Sequence, residues 1–130
     1  MKAAVSITDP EKSLDSQIDP RFGRAANFLL VDLEKGEALK VISNSQAMNL
    51  GHGAGIQAAT LIVEEGADAV VSGYVGPKAF SVLNAAGIKV YSGAEGTVKE
   101  VINLLKEGKL TPGEAPSSNG HGMGMGRRDL

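Results

Sequence analysis

The 130-residue chain contains no cysteine and no tryptophan. Without thiols it forms no disulfide, no thiolate zinc site and no cysteine-anchored iron–sulfur cluster, so any metal must be held by other donors. The aromatic residues are Phe22, Phe28, Phe80, Tyr74 and Tyr91. The core must therefore come from Val, Ile, Leu and Ala, which suits a sheet covered by helices. An excess of either charge is also missing. The formal net charge is −2, with no basic patch of the kind that draws in nucleic acid or anionic lipid. No apolar run approaches the roughly 20 residues of a membrane-spanning helix, and Met1 to Ile7 is too short for the apolar region of a signal peptide. Neither nucleic acid nor membrane is expected as a partner, and the expected location is cytoplasmic.

The length and a 42% hydrophobic content fit one globular domain. Lys2 to Ile7 reads as a strand ended by the turn residues Thr8-Asp9-Pro10, and a long loop follows to Arg24. Asn27 to Leu33 and Ala38 to Ser43 read as a hairpin joined through Glu34-Lys35-Gly36-Glu37. From Gly53 the period becomes helical, with Ile56, Ala59, Ile62 and Val63 on the expected core face and Gly66 as the stop. Ala69 to Ser72 is a short, wholly apolar strand suited to a covered parallel sheet. Pro77 to Ala86 is a second helix with proline in its first position and Gly87 beyond its end. Ile88 to Tyr91 is the last strand. Thr97 and Glu100 make a capping box for a third helix, with Val98, Val101, Ile102 and Leu105 inward and an end near Gly108.

The order β-β-β-α-β-α-β-α predicts an α/β fold of the ribonuclease H-like type. It is a five-stranded mixed sheet of order 3-2-1-4-5 with helices on both faces. Residues 1–108 make this domain. Residues 109–130 are a tail rich in Gly, Met and His with too little apolar surface to offset its ordering entropy, and it is expected to remain without fixed structure when free.

Three segments can carry chemistry. Asn49-Leu50-Gly51-His52-Gly53-Ala54-Gly55 is a glycine-rich turn feeding a helix, whose free N–H groups and positive dipole end attract an anion. Phosphate, a sulfide-rich cluster and a carboxylate all suit it, and so does a merely tight helix start. The spacing Gly-x-Gly-x-Gly, some distance after its strand, is not the dinucleotide fingerprint. His52 can ligate a metal, donate to an anion, or simply face solvent. In Asp19-Pro20-Arg21-Phe22-Gly23-Arg24, the two arginines can reach an anion; alternatively Phe22 pins the loop to the core and Asp19 pairs with an arginine. Ser72-Gly73-Tyr74-Val75-Gly76-Pro77 is a second glycine-bearing turn, beyond the carboxyl end of a parallel strand, where ligands of open α/β sheets collect. In the tail, His121, Met123 and Met125 alternate with glycine, a spacing that suits copper or another soft metal as well as a plain terminus.

Acid–base chemistry has little to stand on. Asp9, Asp19, Asp32 and Asp68 are scattered over strand ends and turns, and strand one lacks the acidic residue that a two-metal nuclease on this scaffold needs. With His52 and His121 the only histidines, no Ser-His-Asp arrangement stands out either.

Asp19-Pro20-Arg21-Phe22-Gly23-Arg24-Ala25, Gly53-Ala54-Gly55, Gly66-Ala67-Asp68-Ala69-Val70-Val71-Ser72-Gly73 and Gly87-Ile88-Lys89-Val90-Tyr91, in that order, resemble the dinitrogenase iron-molybdenum cofactor biosynthesis family over about residues 1 to 108. The resemblance implies a small non-enzymatic domain that binds or carries an anionic metal–sulfur cluster, with cluster donor and acceptor proteins as partners. Without cysteine, such a cluster would be held non-covalently by backbone N–H groups, arginines and His52. The expected cofactor-binding set is Arg21, Phe22, Gly23, Arg24, Asn49, Gly51, His52, Gly53, Gly55, Gly73, Tyr74 and Gly76, with His52 and His121 as metal ligands. The alternative is a nucleotide- or phosphate-binding module built on the same turns.

Overall fold

A computed structural model describes residues 1–110 and 112–113. Its strands are β1 (Lys2–Ile7), β2 (Asn27–Asp32), β3 (Glu37–Ser43), β4 (Ala69–Val71) and β5 (Lys89–Tyr91). The helices are α1 (Ser45–Met48), α2 (Ala54–Glu64), α3 (Pro77–Ala85) and α4 (Val98–Lys106). The tail residues His121, Met123 and Met125 lie outside the described residues.

The sheet has the expected order, β3-β2-β1-β4-β5. β1 pairs antiparallel with β2 and parallel with β4, and β4 pairs parallel with β5. The β2–β3 hairpin shifts register between Leu30 and Val31, so Leu39 stands as an extra residue in β3. Strand periodicity divides the core in two. Ala4, Phe28, Leu30, Val70 and Val90 meet Ala58, Ala59, Ile62, Ala79, Phe80 and Leu83 of α2 and α3 on one face. Ala3, Val5, Ile7, Leu29, Val31 and Val71 meet Val98, Val101 and Ile102 of α4 on the other. Central strands buried on both faces leave no place for polar alternation, which is why β1 and β4 read as apolar runs.

Two departures from the sequence reading concern the helices. α1 is a single turn, with no side-chain cap at Asn44, and sequence periodicity does not register it. On α2 the buried side chains are Ala54, Ala58, Ala59 and Ile62, whereas Ile56 and Val63 are 42% and 38% exposed. The expected Ala59 and Ile62 do face the core, but the helix approaches its neighbours largely through alanines, and Ile56 and Val63 stand outside it.

Among the described residues no helix is long and apolar enough to cross a membrane. After α4 the chain returns to the sheet, where the N–H of Gly113 donates to Val90 O at 2.7 Å on the outer side of β5.

Candidate functional site

The loop between β1 and β2 is tied down along its length. Asp19 N–H donates to Ser6 O and Ile18 N–H to Gly96 O. The buried Ser6 hydroxyl is 2.7 Å from Asp19 O and 2.9 Å from Ser72 Oγ. A hydroxyl has one proton, so Ser6 donates to the carbonyl and accepts from Ser72. Phe22 is buried, with its ring centroid 5.1 Å from that of Phe28. Its N–H donates to Tyr74 O, and Arg21 and Tyr74 form a parallel bridge. The loop thus lies alongside the turn that follows β4. Gly73 belongs to this seam: a Cβ there would stand 2.7 Å from the Cα and carbonyl oxygen of Pro20.

On its other side the same loop meets the start of α2. The amide of the buried Asn44 donates to Gly23 O and Ala25 O. Arg24 Nη1 donates to Leu50 O, and Nη2 to Gly51 O at 3.4 Å. Both carbonyls belong to the first half of the glycine turn, so Arg24 braces the turn where it begins. Gly53 has φ +77° and is the N-cap of α2, a left-handed conformation that glycine adopts without steric cost.

These contacts gather the expected segments around one pocket of about 600 Å³. Arg21, Phe22, Gly23, Arg24, Gly51, His52, Gly53, Gly55, Tyr74 and Gly76 all line it. Asn49 does not: its amide turns back to Ser45 O at 2.9 Å. Nor does Gly73, whose glycine is required by the contact with Pro20. Ala54 and Pro77, which lie in the expected segments but outside the expected residue set, complete the lining together with Lys78 and Ala79, which were missed from sequence. Their signal was present, since Pro77 marks a helix start and the first turn of a helix faces whatever its N-terminus faces.

Two features give the pocket its electrostatics. First, the lining holds Arg21, Arg24 and Lys78 and no carboxylate, in a chain of net charge −2. Second, α2 and α3 both open onto it without a side-chain cap and without an acidic residue in the first turn. α4 is different: Thr97 Oγ1 accepts from Glu100 N, and Glu100 Oε1 accepts from Thr97 N. The chain thus caps the helix on the other face of the sheet and leaves two positive helix ends bare at the pocket. Each such end favours an anion by about 0.3–1 kcal/mol at an exposed site. Among the described residues no group of three or more His, Cys, Asp or Glu side chains is placed to hold a metal ion.

The two glycine turns of the mixed α/β sheet thus enclose a cation-lined pocket whose lining holds no carboxylate. The chain belongs to the family described as dinitrogenase iron-molybdenum cofactor, which it matches over residues 1–108. That family consists mostly of small cofactor-binding domains without a known catalytic activity. The apo form of the orange protein from Desulfovibrio gigas is similar in structure, with TM-score 0.84 and 41% identity over 90% of this chain and 96% of that one. A Thermotoga protein assigned provisionally as NifB has TM-score 0.74 and 33% identity over 92% and 98% of the two chains. An uncharacterized protein of Methanocaldococcus jannaschii is 39% identical over 111 residues, 85% of this chain and 89% of its own length.

Proposed function

We propose that the chain binds and carries an anionic metal–sulfur cofactor, or its precursor, of the iron–molybdenum type, receiving it from a donor protein and passing it to an acceptor. The observation that carries this reading is the meeting of two uncapped helix N-termini and three cationic side chains on one pocket without a carboxylate. Backbone N–H groups at the starts of α2 and α3 hydrogen-bond the anion, and the cations balance its charge. The walls are apolar elsewhere, with Phe22, Ala54, Pro77 and Ala79 among them, which suits a large, weakly hydrated sulfide surface. Only His52 offers a side-chain donor of the usual metal-ligating kind. The cargo must therefore bring nearly all of its own coordination, as a transferable cluster does. A single imidazole and no carboxylate pair also give the pocket little with which to run acid–base catalysis.

The bare helix ends favour a phosphate as well, so a nucleotide- or phosphate-binding module is the second reading. Against it, the lining holds no Ser, Thr, Asn or Gln and no acid to engage a ribose.

Anaerobic reconstitution with iron, sulfide and molybdate, followed by metal analysis and visible spectra, tests the proposal. A stoichiometric chromophore is expected. Colourless protein from every mixture, together with saturable heat on titration with nucleotides, would replace the first reading with the second.

A further inference from the structure

We infer that Lys78 is the direct counter-charge of the bound anion, and that the two arginines chiefly build the pocket; this rests on the anion-carrier reading above. The three cations of the lining differ in what the fold already asks of them. Arg21 is held by its own loop: Asp19 Oδ1 accepts from Arg21 N at 2.9 Å and from Arg21 Nε at 3.3 Å. Asp19 is only 3% exposed, so this carboxylate is fixed and offsets part of the guanidinium charge. Arg24 donates to the carbonyls of Leu50 and Gly51, which commits its planar fork to the shape of the glycine turn.

Lys78 is committed to nothing comparable. It is exposed and lines the pocket. Among the described residues no ion pair or hydrogen bond of its ammonium group is found. It is also the second residue of α3, after Pro77, in a first turn that holds no acidic residue. A cation there faces the positive end of the helix, an arrangement that the helix dipole disfavours. Local rules broken without compensation inside the chain mark functional positions, and an anion in the pocket supplies the compensation. A lysine suits this role: its ammonium is a compact point charge with three rotatable donors on a flexible stem, able to follow an anion in and out. The arginines set the walls and the lysine meets the cargo.

Calorimetric titration of the full chain with tetrathiomolybdate, a molybdenum–sulfide dianion, at low and high ionic strength tests the assignment. Lys78→Met should weaken binding about tenfold or more at low salt, the loss typical of one charged hydrogen bond. The deficit should shrink as salt screens the pair. Lys78→Arg should recover most of the affinity. Lys99→Met removes the same charge from α4, on the opposite face of the sheet, and should bind as the wild type does. The inference is overturned if Lys78→Met binds as tightly as wild type, or if Lys99→Met is weakened equally, which would make the effect one of net charge. Wild-type protein that takes up no anion overturns the carrier reading and this inference with it.

Discussion

Gly23 rests against Gly55 backbone to backbone: a Cβ on Gly23 would lie 3.0 Å from both the Cα and the N of Gly55. Gly55 in turn faces α3, since its own Cβ would lie 3.3 Å from the Cβ of Ala79. Two glycines thus let the β1–β2 loop, the start of α2 and the start of α3 close on one another around the pocket. Gly23→Ala should push the loop away from α2, costing about 1–3 kcal/mol as overpacking does, and should reduce chromophore retention after reconstitution. A methyl group on Gly51 would meet no atom within 4 Å, so Gly51→Ala should melt with the wild type. Thermal unfolding of the two variants side by side checks the contrast.

Gly73 is tighter still. Its Cβ would meet Pro20 at 2.7 Å, at backbone atoms that have no rotamer to yield. Gly73→Ala must move Pro20, and with it the Asp19–Arg21 contact. Its denaturant midpoint should fall below that of Gly23→Ala, with a loss at or above the upper end of the about 1–3 kcal/mol range for overpacking.

On the carrier reading, variants at Arg24 and His52 separate shaping the pocket from touching the cargo. Arg24→Lys keeps the charge but cannot hold two carbonyls in a planar fork, so amide exchange across Gly51 to Gly55 should quicken even without cargo. His52→Ala should leave that exchange unchanged and lower cluster retention. A reconstituted His52→Ala protein with the wild-type spectrum and wild-type metal content would remove the imidazole from the metal.

The β2–β3 turn carries a pH signature away from the site. The Lys35 backbone N–H, which donates to Asp32 Oδ1 at 3.2 Å, holds the Asp32 carboxyl below its ordinary value of 3.8. A group whose value is lowered by folding stabilises the fold fully above its unfolded value, and that contribution is lost as pH falls through the folded value. Asp32→Asn should therefore lower the urea midpoint slightly at pH 7 and not at strongly acid pH, narrowing the difference between the two.

The sheet was legible because each strand carries its own punctuation: turn residues after β1, a glycine in the hairpin, and glycines after α2 and α3. The capping box of Thr97 and Glu100 was legible as a local pair. What failed was the placing of particular side chains where the helices approach one another. Ile56 and Val63 were expected inside on hydrophobicity, but close helix approach selects small side chains, and Ala58 joined the expected Ala59 and Ile62 in the interior. Lys78 carried no signal of its own in the sequence, because its pocket exists only once α2 and α3 stand side by side. The arginines were legible as candidates for the site. The pairing of Asp19 with Arg21, two residues apart, was among the expected alternatives, whereas the engagement of Arg24 by the Leu50 and Gly51 carbonyls depends on where a 26-residue separation brings the chain back together.

The hydrogen bond from Gly113 to Val90 bears on how copies of this protein meet. β5 is a three-residue outer strand, and Lys89 and Tyr91 spend their backbone groups on the β4 side, which leaves Val90 facing outward. An exposed strand margin is a template onto which another chain can add. With its central carbonyl already occupied by the protein's own backbone, this margin offers a stranger little to zip onto. On the proposed carrier reading, a partner that receives the cargo is left to meet the glycine turns and not this margin of the sheet.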